Sequence, residues 1–543
     1  MKQELIDRLV QGNIPTIEEI EKKYPKRPEG QIVTRIAPSP TGFMHIGTVW
    51  TAMTDKMVAH KDGGVFYIRI EDTDQKRFVD GATELVLKTL NYCELDTDEG
   101  LAIDGKERGI YGPYTQSQRK DIYKAYVKEF LKRDLAYPSF MTHEELEKMR
   151  EEQTKLKIRT GIYGLWAKER NLTEQQIIDN LEAGKPYVIY FKSPGNFSNK
   201  IVIEDLIKGK KVLPENDLDV VIMKGDGLPT YHFAHLVDDH LMGTTHVIRT
   251  DEWFISTPLH IQLFQAMNWN IPYYIQPAPI AKLDNGAKRK LSKRKDPEAN
   301  FQYFIEKGYP KEVVMDYLMN LANSNYEDWR KLNPKASFKE FPFEIKKLGV
   351  SGALFDFVKL NSICKDFMST LTAEDICNRL YNWAKQFDNE LALRIDKEKS
   401  RFISIFEIER KNCDRVRKDY GVLSEIYQEI EYFFNFNYSL EQLQKDLPNL
   451  NITELKDIIN YYILNYNENL SKDEWFNQLK EIAKKYNYCV DNKEYNVEIH
   501  KGKISDFVAI FRYLITGRKN SPDLYSIMQV LGKNEVLKRL NIK

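Results

Sequence analysis

From Gln31 onward, short apolar runs alternate with longer amphipathic stretches. QIVTRIA is followed by a Pro-Gly loop and HIGTVWTAMTDKMVAH; the turn KDGG leads to VFYIRI, and the acidic turn EDTD to ATELVLKTLNY. Strands separated by helices of this length predict a parallel sheet with βαβ crossovers. In such a sheet ligands bind beyond the C-terminal strand ends, and both the APSPTG loop and the EDTD turn fall at that edge.

The regularity weakens over residues 111–207. Charged helices (YKAYVKEFLKRDLAY, THEELEKMREEQ) and two short strands (YVIYFK, KIVIEDLI) read there as an inserted subdomain. Alternation returns with DLDVVIMKGDGLPTYHFAHLVDDH and THVIRTDEWFISTPLHIQLF. From about Pro342 the pattern is amphipathic helix after amphipathic helix. The expected organisation is a helical N-terminal extension (1–30), a first half of the sheet domain (31–110), the insertion (111–207), the second half (208–280), a basic loop and adjoining region (281–341) and an all-α half (342–543). Residues 1–30 read as an appendage.

Length and charge narrow the picture. At 543 residues the chain exceeds the size of one core, so three or more packed units are expected. Its 80 basic and 80 acidic residues cancel, so any polyanion contact rests on local patches. The five cysteines lie far apart with no CxxC pair, which argues against a disulfide framework and a structural zinc site. No apolar run approaches the roughly 18 residues of a membrane span, and MKQELIDRLVQGN lacks the core of a signal peptide. A cytosolic protein without membrane contact is expected.

Two stretches carry candidate chemistry. TRIAPSPTGFMHIGT puts glycines and a histidine where a strand gives way to a helix. It reads either as an ordinary βα connection or as a phosphate site, because glycine there removes a blocking side chain and the first-turn amides favour an anion. KLDNGAKRKLSKRKDPEAN has seven Lys and Arg against one acid between Lys282 and Lys295. It reads either as a solvated basic loop or as a mobile loop whose ammonium groups stabilise charge developing on a triphosphate.

Taken together, these stretches resemble the HIGH (APSPTGFMHIGT) and KMSKS (KLSKR) signatures of class I aminoacyl-tRNA synthetases. More narrowly, RIAPSPTG, FYIRIEDTD, GPYTQSQR, DGLPTYHFAHLVDDHLMG, HVIRTDEW, KLSKRK, SGALFDFVKLN and RYLITGRKNSPDLYSIMQVLG resemble bacterial-type glutamyl-tRNA synthetases in order and spacing, from Gln31 to the end. The resemblance implies an α/β fold: a Rossmann-like parallel-sheet catalytic domain with an inserted acceptor-binding subdomain, then an all-α anticodon-binding half. The implied reaction joins L-glutamate and ATP to glutamyl-adenylate and passes the glutamyl group to the 3′ end of tRNA(Glu), with tRNA(Gln) a second candidate. Mg²⁺ is expected with the ATP on phosphates and water, with no protein ligand named and no zinc. A monomer is the family expectation.

By resemblance, His45, Gly47, Lys290, Ser292 and Lys293 are catalytic. Pro38, Thr41, Gly42, Thr48, Glu252, Leu283 and Arg294 join His45, Gly47 and Lys293 around ATP. Arg35 and Arg249 face the side-chain carboxylate beside Tyr231, with Ser39 and Glu71 near the α-amino group. A guanidinium fork suits a carboxylate bidentately. His235 is the remaining candidate for glutamate contact, although it stands where relatives often have Asn; it and His232 read equally as packed histidines. The first signature ends in Thr48 instead of a second histidine, and YPSFMTHEEL occupies the place of a Cys-rich zinc site in some relatives. The related glutaminyl enzymes carry Pro-Glu-Pro in the first loop; here it is Pro38-Ser39-Pro40. Two further readings compete: a tRNA- or RNA-binding relative without ligase activity, and a nucleotidyltransferase that uses the same loops without tRNA.

Overall fold

Parallel pairing of Val33–Ile36 with Val65–Ile68, Arg35 opposite Tyr67, starts the sheet that the alternating pattern predicts. The computed structural model describes residues 1–292, 294–411, 413, 415–446, 451–491 and 493–541. His246–Ile248 pairs in parallel with Tyr273–Ile275, which meets Lys200–Asp205 at Tyr274 and Asp205. Thr245 stitches the two pairs together: its amide donates to Val33 O at 3.0 Å, and the Val33 amide donates to Thr245 Oγ1 at 2.7 Å. All four residues of Val33–Ile36 are buried, as a strand covered on both faces must be.

The helix Ile46–His60 connects the first two strands and buries Val49, Trp50, Met53 and Met57. Gly209–Pro214 lies antiparallel to Lys200–Asp205 at the edge. A separate antiparallel sheet joins Ala136–Ser139, Val188–Phe191 and Val220–Met223. Two strands thus pair across the boundary drawn at residue 207: Lys200–Asp205 joins the parallel sheet, and Val220–Met223 joins the insertion. Short apolar runs announce a strand but not its partner, which is chosen by tertiary packing.

The described chain forms two compact units, Met1–Phe304 with Val314–Asp356, and Ile305–Val313 with Phe357–Lys543. Two replace the expected three or more because one continuous core runs from the sheet (Val33, Tyr67) through the insertion (Phe130, Phe191) to Phe233 and Leu263. The N-terminal helices Gln3–Leu9 and Ile17–Lys23 belong to that core through Leu5, Ile6, Leu9, Ile20 and Tyr24, so they are part of the fold and no appendage. A capping box between Thr16 and Glu19 starts the second of them. The second unit is helical, from Phe357–Thr370 to Lys533–Leu540, around a core that includes Leu380, Phe402, Ile458, Phe507 and Ile527. Among its described residues the one strand pair is Tyr488–Cys489 with Gly502–Lys503.

Candidate active site

At the C-terminal end of Val33–Ile36 the chain enters the loop Ala37-Pro38-Ser39-Pro40. Gly42, at φ 115°, lets it turn back toward the helix. His45 is the N-cap of Ile46–His60, and its Nδ1 accepts the Gly47 amide at 2.9 Å. The ring proton therefore sits on Nε2. A side chain on Gly47 would put a Cβ 3.0 Å from His45 Nδ1. Asn300 bridges His45, and the Phe301 amide donates to Met44 O at 3.0 Å, so the segment after the basic stretch is tied to this loop.

The basic stretch is a hairpin. Ala281–Asp284 pairs antiparallel with Ala287–Lys290 through Asn285 and Gly286, whose φ values of 50° and 81° belong to the tight turn that Asn-Gly favours. Two of its cations are anchors. Arg289 donates to Asp284 at 2.6 Å and to Asp296 at 2.6 and 2.8 Å; Lys282 reaches Glu298 at 2.6 Å and Asp296 at 3.3 Å. Arg289 thus holds the Asp296 carboxyl far below its ordinary range, against the effect of burial. The Ser292 amide also donates to Asp296, at 2.9 Å. Lys290 pairs with Glu252. The expected mobile basic loop is a braced hairpin over residues 281–290 because its own acids and Asn-Gly turn fix it.

One cavity of about 920 Å³ is lined by Arg35, Ser39, His45, Gly47, Thr48, Glu71, Tyr231, Arg249 and Lys290. Pro38, Thr41, Gly42, Glu252, Leu283, Ser292 and Arg294 are not on its wall; Glu252 reaches it through Lys290, and the Leu283 side chain is exposed. Lys293 lies outside the described residues. His235 is also off the wall: it is fully buried, with its ring stacked 5.9 Å from that of Tyr231 and Nδ1 2.7 Å from Asp239 Oδ2 but out of line for a hydrogen bond. Burial depresses it to about 4, against the opposing effect of Asp239, and His235 is packed behind Tyr231, off the wall of the cavity.

The cavity floor is electrostatically uneven. Arg69 donates to Asp239 Oδ1 at 2.6 Å and to Glu71 Oε1 at 3.0 Å, and Arg119 donates to Asp238 at 2.7 Å. Arg35 Nε lies 3.4 Å from Asp239. Burial would raise Asp239, but Arg35 and Arg69 outweigh it and hold the carboxyl well below its usual range. At Glu71 burial outweighs Arg69 and Arg35, and its pKa is raised. Arg249 differs: its nitrogens donate to His260 Nδ1 at 2.9 Å, Thr257 Oγ1 at 3.1 Å and Gln276 Oε1 at 3.4 Å, all neutral. It is 6% exposed, and none of these three partners is an anion.

Sequence reasoning missed several wall residues, among them Lys224, Asp226, Trp253 and Gln116. Lys224 and Asp226 flank Gly225 in MKGDG, a turn inside a quoted motif and the signal that pointed to them. His260 carried no signal, being a polar position inside a largely apolar helix, whereas Asp239 lies within the quoted stretch DGLPTYHFAHLVDDHLMG without standing out from its polar neighbours.

The comparisons with known proteins follow this geometry. Residues 31–361 match the catalytic domain of class I tRNA synthetases (E and Q), and residues 378–543 match an anticodon binding domain. The pairing of the two defines a class I aminoacyl-tRNA synthetase. A glutamate–tRNA ligase of Clostridium perfringens (strain 13 / Type A) is 46% identical over 99% of this chain and 100% of its own, and one of Clostridium beijerinckii is 44% identical over 100% and 99%. A crystal structure of a glutamate tRNA ligase from Elizabethkingia meningosepticum in complex with its amino acid superposes with a TM-score of 0.75, at 27% identity, over 94% of this chain and 98% of the other. The chain belongs to the glutamate–tRNA ligase family.

Proposed function

We infer that this chain is an ATP-dependent ligase that activates L-glutamate and transfers it to the 3′ end of tRNA(Glu). The observation that carries the choice of amino acid is Arg249: a buried guanidinium on the cavity wall with neutral hydrogen-bond partners leaves charge for a ligand carboxylate to neutralise. Arg35 stands with it, and Glu71, raised by burial, gains a counter-ion when an α-ammonium binds. The reading that keeps the fold without ligase activity is not favoured.

In the first step an α-carboxylate oxygen of glutamate bonds to the α-phosphorus of ATP, and the bond from that phosphorus to the bridging oxygen breaks, releasing pyrophosphate. In the second, the terminal ribose hydroxyl of the tRNA bonds to the acyl carbon and AMP leaves. Neither step needs a protein nucleophile, so the residues act by position and charge. His45 offers its Nε2 proton to phosphate oxygen, Gly47 keeps the approach open, and Lys290 exchanges Glu252 for the triphosphate. Ser292 and Lys293 continue that loop. Mg²⁺ would be carried on phosphate oxygens and water. Bound so, it would offset phosphate charge.

The helical unit reads the anticodon, and the chain works as a monomer in the cytoplasm, a setting that suits its five free thiols; no described helix is long and apolar enough to cross a membrane. Pyrophosphate–ATP exchange with glutamate, with and without tRNA, tests the reading, together with charging of tRNA(Glu) and tRNA(Gln) transcripts. Glutamate-dependent exchange and charged tRNA(Glu) are expected; absence of both under every condition overturns it.

A further inference from the structure

Arg249 follows the strand His246–Ile248 and is held from behind by the helix Thr257–Ala266. Thr257 and His260, three positions apart, present acceptors on one face of that helix, Oγ1 to Arg249 NH2 and Nδ1 to Arg249 NH1. A guanidinium has no acceptor, so His260 Nδ1 carries no proton and the ring is protonated at Nε2. That nitrogen lies 2.9 Å from His232 Nδ1, which must then accept. The three side chains form a one-way series of donors running from Arg249 on the cavity wall through buried His260 to the half-buried His232. His260 is 1% exposed, which leaves no room for another arrangement with water.

We propose that His260 is a positioning residue for substrate choice: as a neutral acceptor in the Nε2–H tautomer, its remaining proton taken up by His232, it aims the Arg249 guanidinium at the carboxylate of the incoming side chain. The proposal rests on the reading that Arg249 receives that carboxylate.

The surroundings keep His260 neutral. Arg249 faces it from the strand end; His232, His235, Tyr231 and Asp239 face it from the helix Tyr231–Leu241. Asp239 is the anion of this set, and Arg35 and Arg69 already share it. A protonated His260 would lose its bond to Arg249 and set two cations together. Burial first, and then Arg249, His235 and His232, accordingly push its pKa well below 6.5, and burial with Arg249 brings His232 to about 4.

Three variants of the full chain separate an aiming role from simple packing. Asn places its Oδ1 where His carries Nδ1 and keeps the acceptor; Leu keeps bulk without it. In His260→Leu the KM for glutamate should rise roughly ten- to a hundredfold, the scale of one charge-assisted hydrogen bond, and the preference for glutamate over glutamine should shrink. The KM for ATP should stay within about twofold. His260→Asn should restore most of the loss. His232→Leu, which removes the acceptor of the His260 Nε2 proton, should raise the KM for glutamate severalfold and serves where His260→Leu fails to fold. Equal losses in the Leu and Asn variants, or no change in either, overturn the proposal. Arg249→Gln is the control for the underlying reading: if it leaves the glutamate preference intact, the pocket assignment fails; if it abolishes that preference while His260→Leu does not reduce it, the present proposal alone falls.

Discussion

Asp239 Oδ1 accepts from Arg69 NH1 at 2.6 Å and lies 3.4 Å from Arg35 Nε, so one carboxylate oxygen serves two buried guanidinium groups. Removing its charge takes the anion from Arg35 and leaves Arg69 with Glu71 and Asp238 alone. Asp239→Asn is expected to cost about 3–5 kcal/mol of stability, as breaking a buried ion pair does. Urea unfolding of variant and parent measures it, and a loss under about 1 kcal/mol would mean the cations find other partners.

Glutamate and glutamine are nearly isosteric, so shape separates them weakly and charge must do the rest. Sites built around a specific polar partner discriminate by roughly 10⁴-fold or more. Arg249→Gln should cut glutamate activation steeply while glutamine activation falls much less. The ratio of the two kcat/KM values is the quantity to follow; an unchanged ratio would place the side-chain carboxylate elsewhere.

Lys290 stands at the cavity wall with its side chain 45% exposed and Glu252 as its partner. Its loss removes a charge that stabilises phosphate without opening the core. Lys290→Ala should lower pyrophosphate exchange on the order of a hundredfold with an unchanged melting temperature. Normal exchange kinetics would take this lysine out of the mechanism.

Gly47 is required by contact distance, since an added Cβ would meet His45 Nδ1 at 3.0 Å. The ring must then give way and the cap on the Gly47 amide loosens. Gly47→Ala is expected to slow exchange on the order of ten- to a hundredfold, the effect of misplacing a positioned group, while the protein stays folded. Wild-type exchange in that variant would show that the ring moves at no cost.

Asp55 is fully buried beneath the cavity, and neither carboxylate oxygen has a hydrogen-bond partner. Burial raises its pKa well above 3.8; Arg35 opposes this and Asp239 adds to it. The folded chain therefore keeps a proton that the unfolded chain releases, and stability falls as pH rises from about 3.8 through the raised value. Asp55→Asn removes that titration, so the stability of the variant relative to wild type should be more favourable at pH 8 than at pH 5. Denaturant midpoints at the two pH values decide it; an equal difference would mean that Asp55 is ionised in the fold.

The order of strands and helices was legible because apolar runs and their spacing are local properties. So were His45, Gly47, Glu71 and Lys290, which stand at or just beyond the ends of helices and strands where the pattern changes. What stayed hidden was nonlocal. Lys200–Asp205 and Val220–Met223 look alike as sequence, and only packing assigns them to different sheets. His260 sits in a helix whose apolar neighbours mask it, Asp239 is one of three successive polar residues with Asp238 and His240, and their roles exist only where two helices and a strand end converge on Arg249 and Arg35. The Asn285-Gly286 hairpin is a different case: its signal was present and local, but the charge around it drew the reading toward a mobile loop.

The hydrogen bonds between Val33 and Thr245 close a loop of 212 positions. The entropy of closing a loop grows only with the logarithm of its length, about 0.6 kcal/mol for each doubling. Once that seam is paired, the number of residues threaded between its two sides hardly matters to the sheet. The stretch between them is therefore where this architecture tolerates added or removed residues while the seam itself stays as it is.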